Sequence, residues 1–329
     1  MNVSSEKINV LCATDDKYAP YCGIMLTSLF ECNKDCRFIV FVFVDGCFSE
    51  ANHKKFKKLE QRYDCEVNLV TIDDRLLEKC PVNKQRNVGN HEWVSKPTYY
   101  RLLSSEILPE EIQKVIYLDC DIAVVGDIKP LWNTDISGKA MAGVVDCDEE
   151  KNRIRLGLPS QYTYVNAGVA LYNLEYWRQH SISTRFFEFI REHEEELLLM
   201  DQDVVNGVLC DKMILVSERY NFQVAFFVKR FWKSYPEDFR QRLLKENKEI
   251  SIVHYVGEMK PWDFKYYGFP YYEIWNKNRK KSFWKQSHIT SPFGSYIRFL
   301  LKRVLCSTSL KRKRQSIWVV IPENKFCFA

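Results

Sequence analysis

Short apolar runs alternate along the chain with longer segments in which apolar residues recur at helical spacing. The apolar runs predict strands over 8–13, 37–44, 65–72, 114–121, 122–126, 141–145, 167–173, 212–217 and 250–256. The segments between them predict helices over 21–31, 49–63 and 97–108, and a further helix that opens at 201. Strands that alternate with helices favour βαβ units. We therefore expect an α/β fold with a doubly wound, mostly parallel sheet that extends to about residue 275.

The last part of the chain is basic. Between Glu273 and Glu323 there are twelve Lys or Arg residues and no acid, whereas the whole chain has a net charge of only +5. An amphipathic helical stripe over 293–304 precedes the basic run KRKR at 311–314. This combination is typical of a helix that lies on an anionic membrane surface. A helix that packs on the body and keeps its cationic face in solvent would give the same pattern.

The composition narrows the class of protein. With 46% hydrophobic and 28% charged residues, the chain can bury a large core. Its longest apolar run, FIVFVFV at 38–44, is too short to cross a bilayer, and its first ten residues do not resemble a secretory signal. We predict a cytoplasmic protein, peripheral at the inner face of the membrane, with a body over 1–275 and a basic C-terminal helical appendage over 276–329. The twelve cysteines lack CxxC spacing and are expected to be free thiols, and no nucleic-acid-binding motif occurs.

Candidate chemistry begins at the end of the strand VIYLDCD, where Asp119 and Asp121 stand one residue apart. Positions i and i+2 of an extended segment point to the same side, so the two carboxylates would repel each other unless a cation lies between them. Mg²⁺ and Mn²⁺ favour such oxygen ligands and share their coordination shell with substrate phosphates. The pattern alone is weak, because paired acids often mark a solvated strand end. No glycine-rich phosphate loop is present to serve a nucleotide instead.

Further polar groups follow other predicted strands. They occur in ATDDKY (13–18), YVNAGVALYN (164–173), DQDVVN (201–206) and HYVGEMKPW (254–262). Imidazole is an acceptable ligand for Mn²⁺, so His254 could complete a site with the two aspartates. Each motif also has a structural interpretation: acids after a strand can cap a turn, Gln202 can cap a helix, and a histidine in a strand is often a core residue.

Taken together and in this order, these motifs resemble glycosyltransferase family 8, in particular its bacterial lipopolysaccharide galactosyl- and glucosyltransferases. The resemblance also rests on TYYRL (98–102) and YLDCDIAVVGDIKPLW (117–132), and it covers residues 8–265. It implies a GT-A fold, a metal-dependent site for a nucleotide sugar, and retention of configuration at the anomeric carbon.

The resemblance also implies roles for individual residues. The metal ligands would be Asp119, Asp121 and His254, with Mn²⁺ or Mg²⁺ and the diphosphate of a UDP-hexose. The uracil and ribose would be contacted by Ala13, Asp15, Asp16 and Tyr18. The diphosphate would be contacted by Gly257 and Lys260. The donor sugar would be bound by Arg101, Asn166, Ala167, Asp201 and Gln202, and Asp146 would lie near the acceptor. Cys120 belongs to the donor-binding motif, although its side chain is expected to point into the core. The catalytic candidates are Asp146, Asp201 and Gln202.

The expected activity is therefore transfer of glucose or galactose from a UDP-sugar to a glycan, such as lipopolysaccharide or a related glycolipid or polysaccharide. Retention could proceed through an enzyme nucleophile, with Asp201 or Asp203 as candidates, or through front-face attack by the acceptor, which we favour. A self-glucosylating enzyme like glycogenin is the alternative within the family. An aspartyl phosphotransferase, which also ends a strand in D-x-D, is the alternative from another class.

Overall fold

The structure is a computed structural model that describes residues 7–78, 80–81, 96–257, 260–262 and 271–286. The strands within these ranges are β1 (Lys7–Thr14), β2 (Arg37–Val44), β3 (Glu66–Thr71), β4 (Lys114–Leu118), β5 (Ile122–Val124), β6 (Met141–Val145), β7 (Val165–Asn173), β8 (Met213–Leu215), β9 (Phe222–Gln223) and β10 (Ile252–His254). The α-helices are α1 (Ala19–Cys32), α2 (Glu50–Tyr63), α3 (Pro97–Tyr100), α4 (Ser104–Ile107), α5 (Lys129–Trp132), α6 (Glu149–Arg155), α7 (Leu174–Gln179), α8 (Ile182–His193), α9 (Asp201–Leu209), α10 (Lys229–Ser234), α11 (Glu237–Glu246) and α12 (Tyr272–Lys281).

The main sheet has seven strands in the order β3-β2-β1-β4-β7-β6-β8. All neighbouring pairs are parallel except those of β7, which runs antiparallel to both β4 and β6. The amino end of β7 therefore lies at the same edge as the carboxyl ends of β1 and β4. Ligands of open α/β sheets bind at this edge, and the mostly parallel α/β sheet is confirmed.

Both faces of this sheet are covered, which explains why its central strands are continuous apolar runs. Alternate residues of β2 enter different cores: Val40 and Val42 pack with the helices α1 and α2, whereas Phe41 and Phe43 pack on the other face. That second face is covered by helices that include α3, α7, α8 and α9. Each face thus buries its own set of side chains, as in a doubly wound fold.

A second sheet of three strands, β5-β10-β9, adjoins the first. Strand β10 pairs antiparallel with β5 and parallel with β9. Residues 122–126 were predicted as a strand directly after the one that ends in the aspartates; a strand lies there, β5, but it belongs to the second sheet. The chain turns at 119–121, and β5 then joins the small sheet, where it brings His254 opposite Ile122.

Two further predictions needed correction. The helix predicted over 97–108 is broken into α3, a 3-10 turn at Arg101–Leu103, and α4. The strand predicted over 167–173 begins earlier, at Val165, and the small residues after Asn166 span a register shift against β6. On its other edge β7 keeps a regular register with β4, and the residue after β4, Asp119, donates its N–H to the Gly168 carbonyl at 2.8 Å.

Helix α12 crosses the predicted division at 275/276 and packs on the body. Trp284, just after it, is 1% exposed and donates its indole N–H to Asn52 Oδ1 at 2.9 Å. Its ring covers Gly23 of α1 so closely that a methyl group there would lie 2.1 Å from it. The body therefore includes residues 276–286, beyond the composition change that suggested the boundary.

The predicted amphipathic helix over 293–304 and the basic run at 311–314 lie outside the described residues. Among the residues that the structure does describe, no helix combines the length and apolar character needed to span a membrane. The ten cysteines in the same ranges are all free thiols.

We expect the replacement Trp284→Ala to lower the free energy of unfolding by about 3–5 kcal/mol, because it removes a fully buried aromatic side chain and leaves a cavity. Urea denaturation followed by fluorescence or circular dichroism measures this. The control is Leu76→Ala, at a leucine that is 52% exposed, for which we expect a change within about 0.5 kcal/mol. Equal effects of the two replacements would contradict the integration of 276–286 into the body.

Candidate active site

Three of the predicted residues meet where the two sheets join. One ligand atom from each of Asp119, Asp121 and His254 lies within 4.8 Å of the other two. His254 Nε2 is 3.2 Å from Asp121 Oδ1 and 3.9 Å from Asp119 Oδ2. The backbone N–H of Tyr255 donates to the Asp121 carbonyl at 2.9 Å, which aligns the end of β10 with the turn after β4. The paired acids thus converge through a turn between two sheets.

A cation binds the outer oxygen of each aspartate. The Arg101 guanidinium donates to Asp119 Oδ1 at 2.7 Å, and the Lys260 ammonium donates to Asp121 Oδ2. The remaining oxygen of each carboxylate faces His254. Two hard oxygens and one imidazole nitrogen form a donor set that Mn²⁺ or Mg²⁺ accepts, so the residues fit a divalent cation.

Burial raises the pKa of the Asp121 carboxyl, but Lys260 and His254 more than offset this and hold that pKa well below its usual range. Asp121 is therefore ionised throughout the physiological pH range, as a metal ligand must be.

Arg101 connects this centre to helix α9. Its side chain is 6% exposed and pairs through Nε with Asp201 Oδ2 at 2.8 Å. It also donates to the Ala167 carbonyl at 2.7 Å and lies over the Tyr117 ring, 3.9 Å from the centroid. Burial raises the pKa of the Asp201 carboxyl to about 7, against the lowering effect of Arg101. One buried cation thus holds both Asp119 and Asp201.

An amide cluster lies next to this pair. Gln202 Oε1 accepts hydrogen bonds from the Ala167 N–H and from Asn166 Nδ2, both at 3.1 Å. Gln202 Nε2 donates to Asp146 Oδ2 at 3.2 Å, and Asn166 donates to the same oxygen at 3.1 Å. Burial raises the pKa of Asp146, while hydrogen bonds from Asp148, Asn166 and Gln202 oppose the shift. The structure therefore brings together the predicted residues Asp146, Asn166, Ala167 and Gln202.

Asp203 does not join this cluster. Its side chain is wholly buried, and one carboxylate oxygen accepts hydrogen bonds from Arg155 and from the Tyr164 hydroxyl. The other oxygen accepts the N–H groups of Leu198 and Leu199, each at 2.8 Å. With both oxygens occupied, Asp203 fixes the loop that precedes α9 and is a poor candidate for the nucleophile.

The ATDDKY residues lie at the carboxyl end of β1, beside the end of β4. Asp15 Oδ1 accepts the N–H of Tyr18 at 2.7 Å at the start of α1. Asp16 accepts the Ser49 N–H and Asn52 Nδ2, each at 2.8 Å, at the start of α2. Both acids therefore have structural partners, as their alternative interpretation anticipated. These contacts fix the loop in which any nucleotide contact would be made.

The Cys120 thiol turns away from the acids on either side and donates to the Ala13 carbonyl at 3.3 Å. This orientation agrees with the expectation that its side chain points inward, so Cys120 could contact a donor only through its backbone.

The described residues of the HYVGEMKPW segment, 254–257 and 260–262, also lie at the site. Gly257 has a φ of +80°, which favours glycine, and Trp262 stacks on Tyr21 with centroids 3.8 Å apart.

Three contributors to the site were missed in the sequence. A methyl group on Gly168 would lie 2.2 Å from His254 Cε1 and 2.5 Å from Asp119 Oδ2. The Tyr117 hydroxyl donates to Asp119 Oδ1 at 3.1 Å. The Asn221 side chain contacts His254 Nδ1 at 2.8 Å. Gly168 could have been inferred from the run of small residues after Asn166, but no local pattern marks Asn221.

Comparisons of the sequence and of the structure with known proteins both find glycosyltransferases. Residues 9–265 match the family model described as Glycosyl transferase family 8. General stress protein A of Bacillus subtilis is 26% identical over 283 residues, which cover 82% of this chain and 96% of that protein. The lipopolysaccharide 1,3-galactosyltransferase of Salmonella typhimurium is 25% identical over 309 residues, or 91% and 86% of the two chains. The crystal structure of galactosyltransferase LgtC with donor and acceptor sugar analogs has a TM-score of 0.73 at 23% identity and covers 87% of this chain and 98% of its own, which supports the fold.

The replacement Gly168→Ala should weaken Mn²⁺ binding at least about tenfold, because the added methyl displaces a ligand ring and a ligand carboxylate. Isothermal titration with Mn²⁺ measures the effect. Gly46→Ala is the matched control, since no atom lies within 4 Å of a methyl group there. If Gly168→Ala binds the ion as tightly as Gly46→Ala does, the assignment of the cation site is wrong.

Proposed function

Since the chain belongs to glycosyltransferase family 8 and is a glycosyltransferase, we propose that it transfers a hexose, glucose or galactose, from a UDP-sugar with retention of configuration. The observation that carries this proposal is the convergence of Asp119, Asp121 and His254 beside a buried cluster of amides and acids. A nucleotide-sugar transferase must bind the diphosphate of its donor, here through a metal ion, and must bind the sugar in a neighbouring pocket. The proposed cofactor is Mn²⁺ or Mg²⁺.

When bound, such an ion would neutralise the donor diphosphate and stabilise the charge on the departing UDP. The protein also supplies a positive charge of its own next to the proposed ion, on Lys260. Lys260 lies against Asp121 and also donates to the Tyr255 carbonyl at 2.8 Å. Its ammonium would bind diphosphate oxygens and oppose the negative charge that develops as the sugar leaves. Gly257, whose conformation bends the chain before Lys260, would contribute its backbone.

For the uracil and ribose we propose Ala13, Asp15, Asp16 and Tyr18, with the backbone of Cys120. The support is their position at the carboxyl end of β1, the strand paired with β4. For the donor sugar we propose Arg101, Asn166, Ala167, Asp201 and Gln202. The support is that they form one hydrogen-bonded cluster next to the cation site.

Retention is proposed to proceed by front-face attack of the acceptor as UDP leaves. Asp201 is paired with Arg101, and both oxygens of Asp203 are occupied. Asp146, near the proposed acceptor side, is bound by the amides of Asn166 and Gln202. Each of the three carboxylates is therefore already engaged by other groups of the protein. Mass spectrometry after incubation with a 2-fluoro UDP-sugar should find no adduct, and an adduct on Asp201 or Asp203 would establish double displacement instead.

The proposed acceptor is lipopolysaccharide or a related surface glycolipid or polysaccharide. It is suggested by similar proteins, among them the lipopolysaccharide glucosyltransferase WaaO of Escherichia coli, which is 26% identical over 312 residues. Self-glucosylation is the alternative within the family, and it would increase the mass of the protein when a UDP-sugar is the only substrate. The phosphotransferase alternative is dropped, because residues 9–265 match the model of a glycosyltransferase family.

The replacement Asp121→Ala should reduce the release of UDP from UDP-glucose and UDP-galactose by at least about a hundredfold, since it removes a metal ligand. A coupled UDP assay with Mn²⁺ measures this, and a chelator should abolish the activity of the wild-type protein. Asp135→Ala is the control, because Asp135 is an acid in an exposed turn that accepts the Ser137 N–H. Activity that survives both the chelator and Asp121→Ala would refute metal dependence.

For the basic C-terminal region we propose contact with an anionic lipid surface at the cytoplasmic face of the membrane. The support is its sequence alone, with seven Lys or Arg and no acid over residues 293–322. Deletion of 293–329 should abolish co-sedimentation with phosphatidylglycerol vesicles and leave UDP release from a free donor unchanged. Equal co-sedimentation of the full-length and truncated proteins would contradict this role.

A further inference from the structure

Asn221 lies between the cation site and the amide cluster and touches both. It ends the 3-10 turn Glu218–Asn221, directly before β9, and its side chain has no exposed surface. Its Oδ1 is 2.8 Å from His254 Nδ1, and its Nδ2 donates to Asn166 Oδ1 at 2.9 Å. Strand β9 pairs with β10 so that Gln223 stands opposite His254, which fixes the distance between the two side chains.

The direction of these hydrogen bonds follows from a backbone group. The Gly168 N–H can only donate, and it points at the Asn166 side-chain oxygen, 3.1 Å away. That atom of Asn166 must therefore be the oxygen, so Asn221 must present its nitrogen to it. The Asn221 oxygen then faces His254, whose Nδ1 must carry the proton. Nε2 is left to face Asp119 and Asp121, where its lone pair would be available to a bound cation.

A second backbone N–H fixes the orientation of the Gln202 carboxamide. The Ala167 N–H donates to Gln202 Oε1 at 3.1 Å, so the Gln202 nitrogen must face Asp146. Asn166 Nδ2 donates to the same Gln202 oxygen and to Asp146. The consecutive N–H groups of residues 167 and 168 thus determine the polarity of one chain of side chains, which runs from His254 through Asn221 and Asn166 to Gln202.

We propose that Asn221 is a positioning residue that orients two parts of the active site at once: the His254 ring toward the cation, and, through Asn166, the Gln202 amide toward the donor sugar. This inference rests on the proposed function. Partners that hold the distal nitrogen of a metal-binding histidine fix its tautomer, and their loss costs about 10–100-fold in metal affinity. Here the same carboxamide also holds the neighbouring amide, so its removal should disturb both metal binding and sugar transfer.

Two variants separate the two contacts. Asn221→Ala removes both hydrogen bonds and should weaken Mn²⁺ binding by about 10–100-fold. Asn221→Asp keeps an oxygen for His254 Nδ1 but loses the donor to Asn166. It should retain Mn²⁺ affinity within about threefold while kcat falls about tenfold or more. Isothermal titration gives the affinities, and UDP-release kinetics give kcat and KM separately.

The control is Asn33→Ala. Asn33 is also buried, at 2% exposure, and its carboxamide makes hydrogen bonds with Leu29, Gly126 and Ile128, away from the site. It reports the effect of losing a buried carboxamide on folding alone. Thermal melting shows whether Asn33→Ala and the Asn221 variants lose the same amount of stability.

A spectroscopic measurement tests His254 directly. In the metal-free wild-type protein, two-dimensional ¹⁵N spectra of labelled histidine should show a proton on Nδ1 of His254, assigned by loss of the signal in His254→Gln. In Asn221→Ala the Nε2–H tautomer, which is preferred in water, should appear. A merely structural role would leave the tautomer unchanged.

The proposal is overturned if Asn221→Ala keeps both the wild-type tautomer and a Mn²⁺ affinity within threefold of that of Asn33→Ala. If Asn221→Ala does not fold, a kcat for Asn221→Asp equal to that of Asn33→Ala overturns it instead. Failure of the proposed function looks different. The wild-type protein would then neither bind Mn²⁺ nor release UDP, although the tautomer of its His254 would still depend on Asn221.

Discussion

The buried guanidinium of Arg101 is the interaction on which the site depends. Asp119 and Asp201 come from different elements, and each would be costly to bury without a partner. Arg101 binds both, and it also binds the Ala167 carbonyl in the strand that runs between them. Because its pKa is far above physiological pH, this cation is permanent. The acids can therefore be arranged before any ligand arrives.

The site combines two kinds of support. Around the aspartates the support is ionic, with Arg101 and Lys260 each occupying one carboxylate oxygen. Toward the proposed sugar pocket it consists of neutral amides, whose orientation is determined by backbone N–H groups of β7. Charge thus holds the candidate ligands of a cation, while uncharged groups with defined donors and acceptors face the position proposed for the hexose. Neutral amides suit sugar hydroxyls, which also both donate and accept hydrogen bonds.

Much of this could be predicted from sequence, because strands that are buried on both faces give strong local patterns. The strand at 37–44 and the paired acids after β4 are examples. The small sheet could not be predicted, since β5, β9 and β10 are two or three residues long and come from distant parts of the chain. Asn221 was missed for the same reason, as its role exists only once β9 pairs with β10. Helix α12 spans the predicted division at 275/276, with basic residues such as Lys281 on its outer side and Trp275 packed inward.

The two sheets meet at the turn after β4, and the three candidate ligands stand on both sides of it. An ion bound there would act as a cross-link between segments that are otherwise joined by short strands and few backbone hydrogen bonds. Local opening of the small sheet would require release of the ion, at a cost of about 2.7 kcal/mol when its concentration is a hundred times its dissociation constant. Slower amide hydrogen exchange in β10 is therefore a physical consequence of saturation of the site.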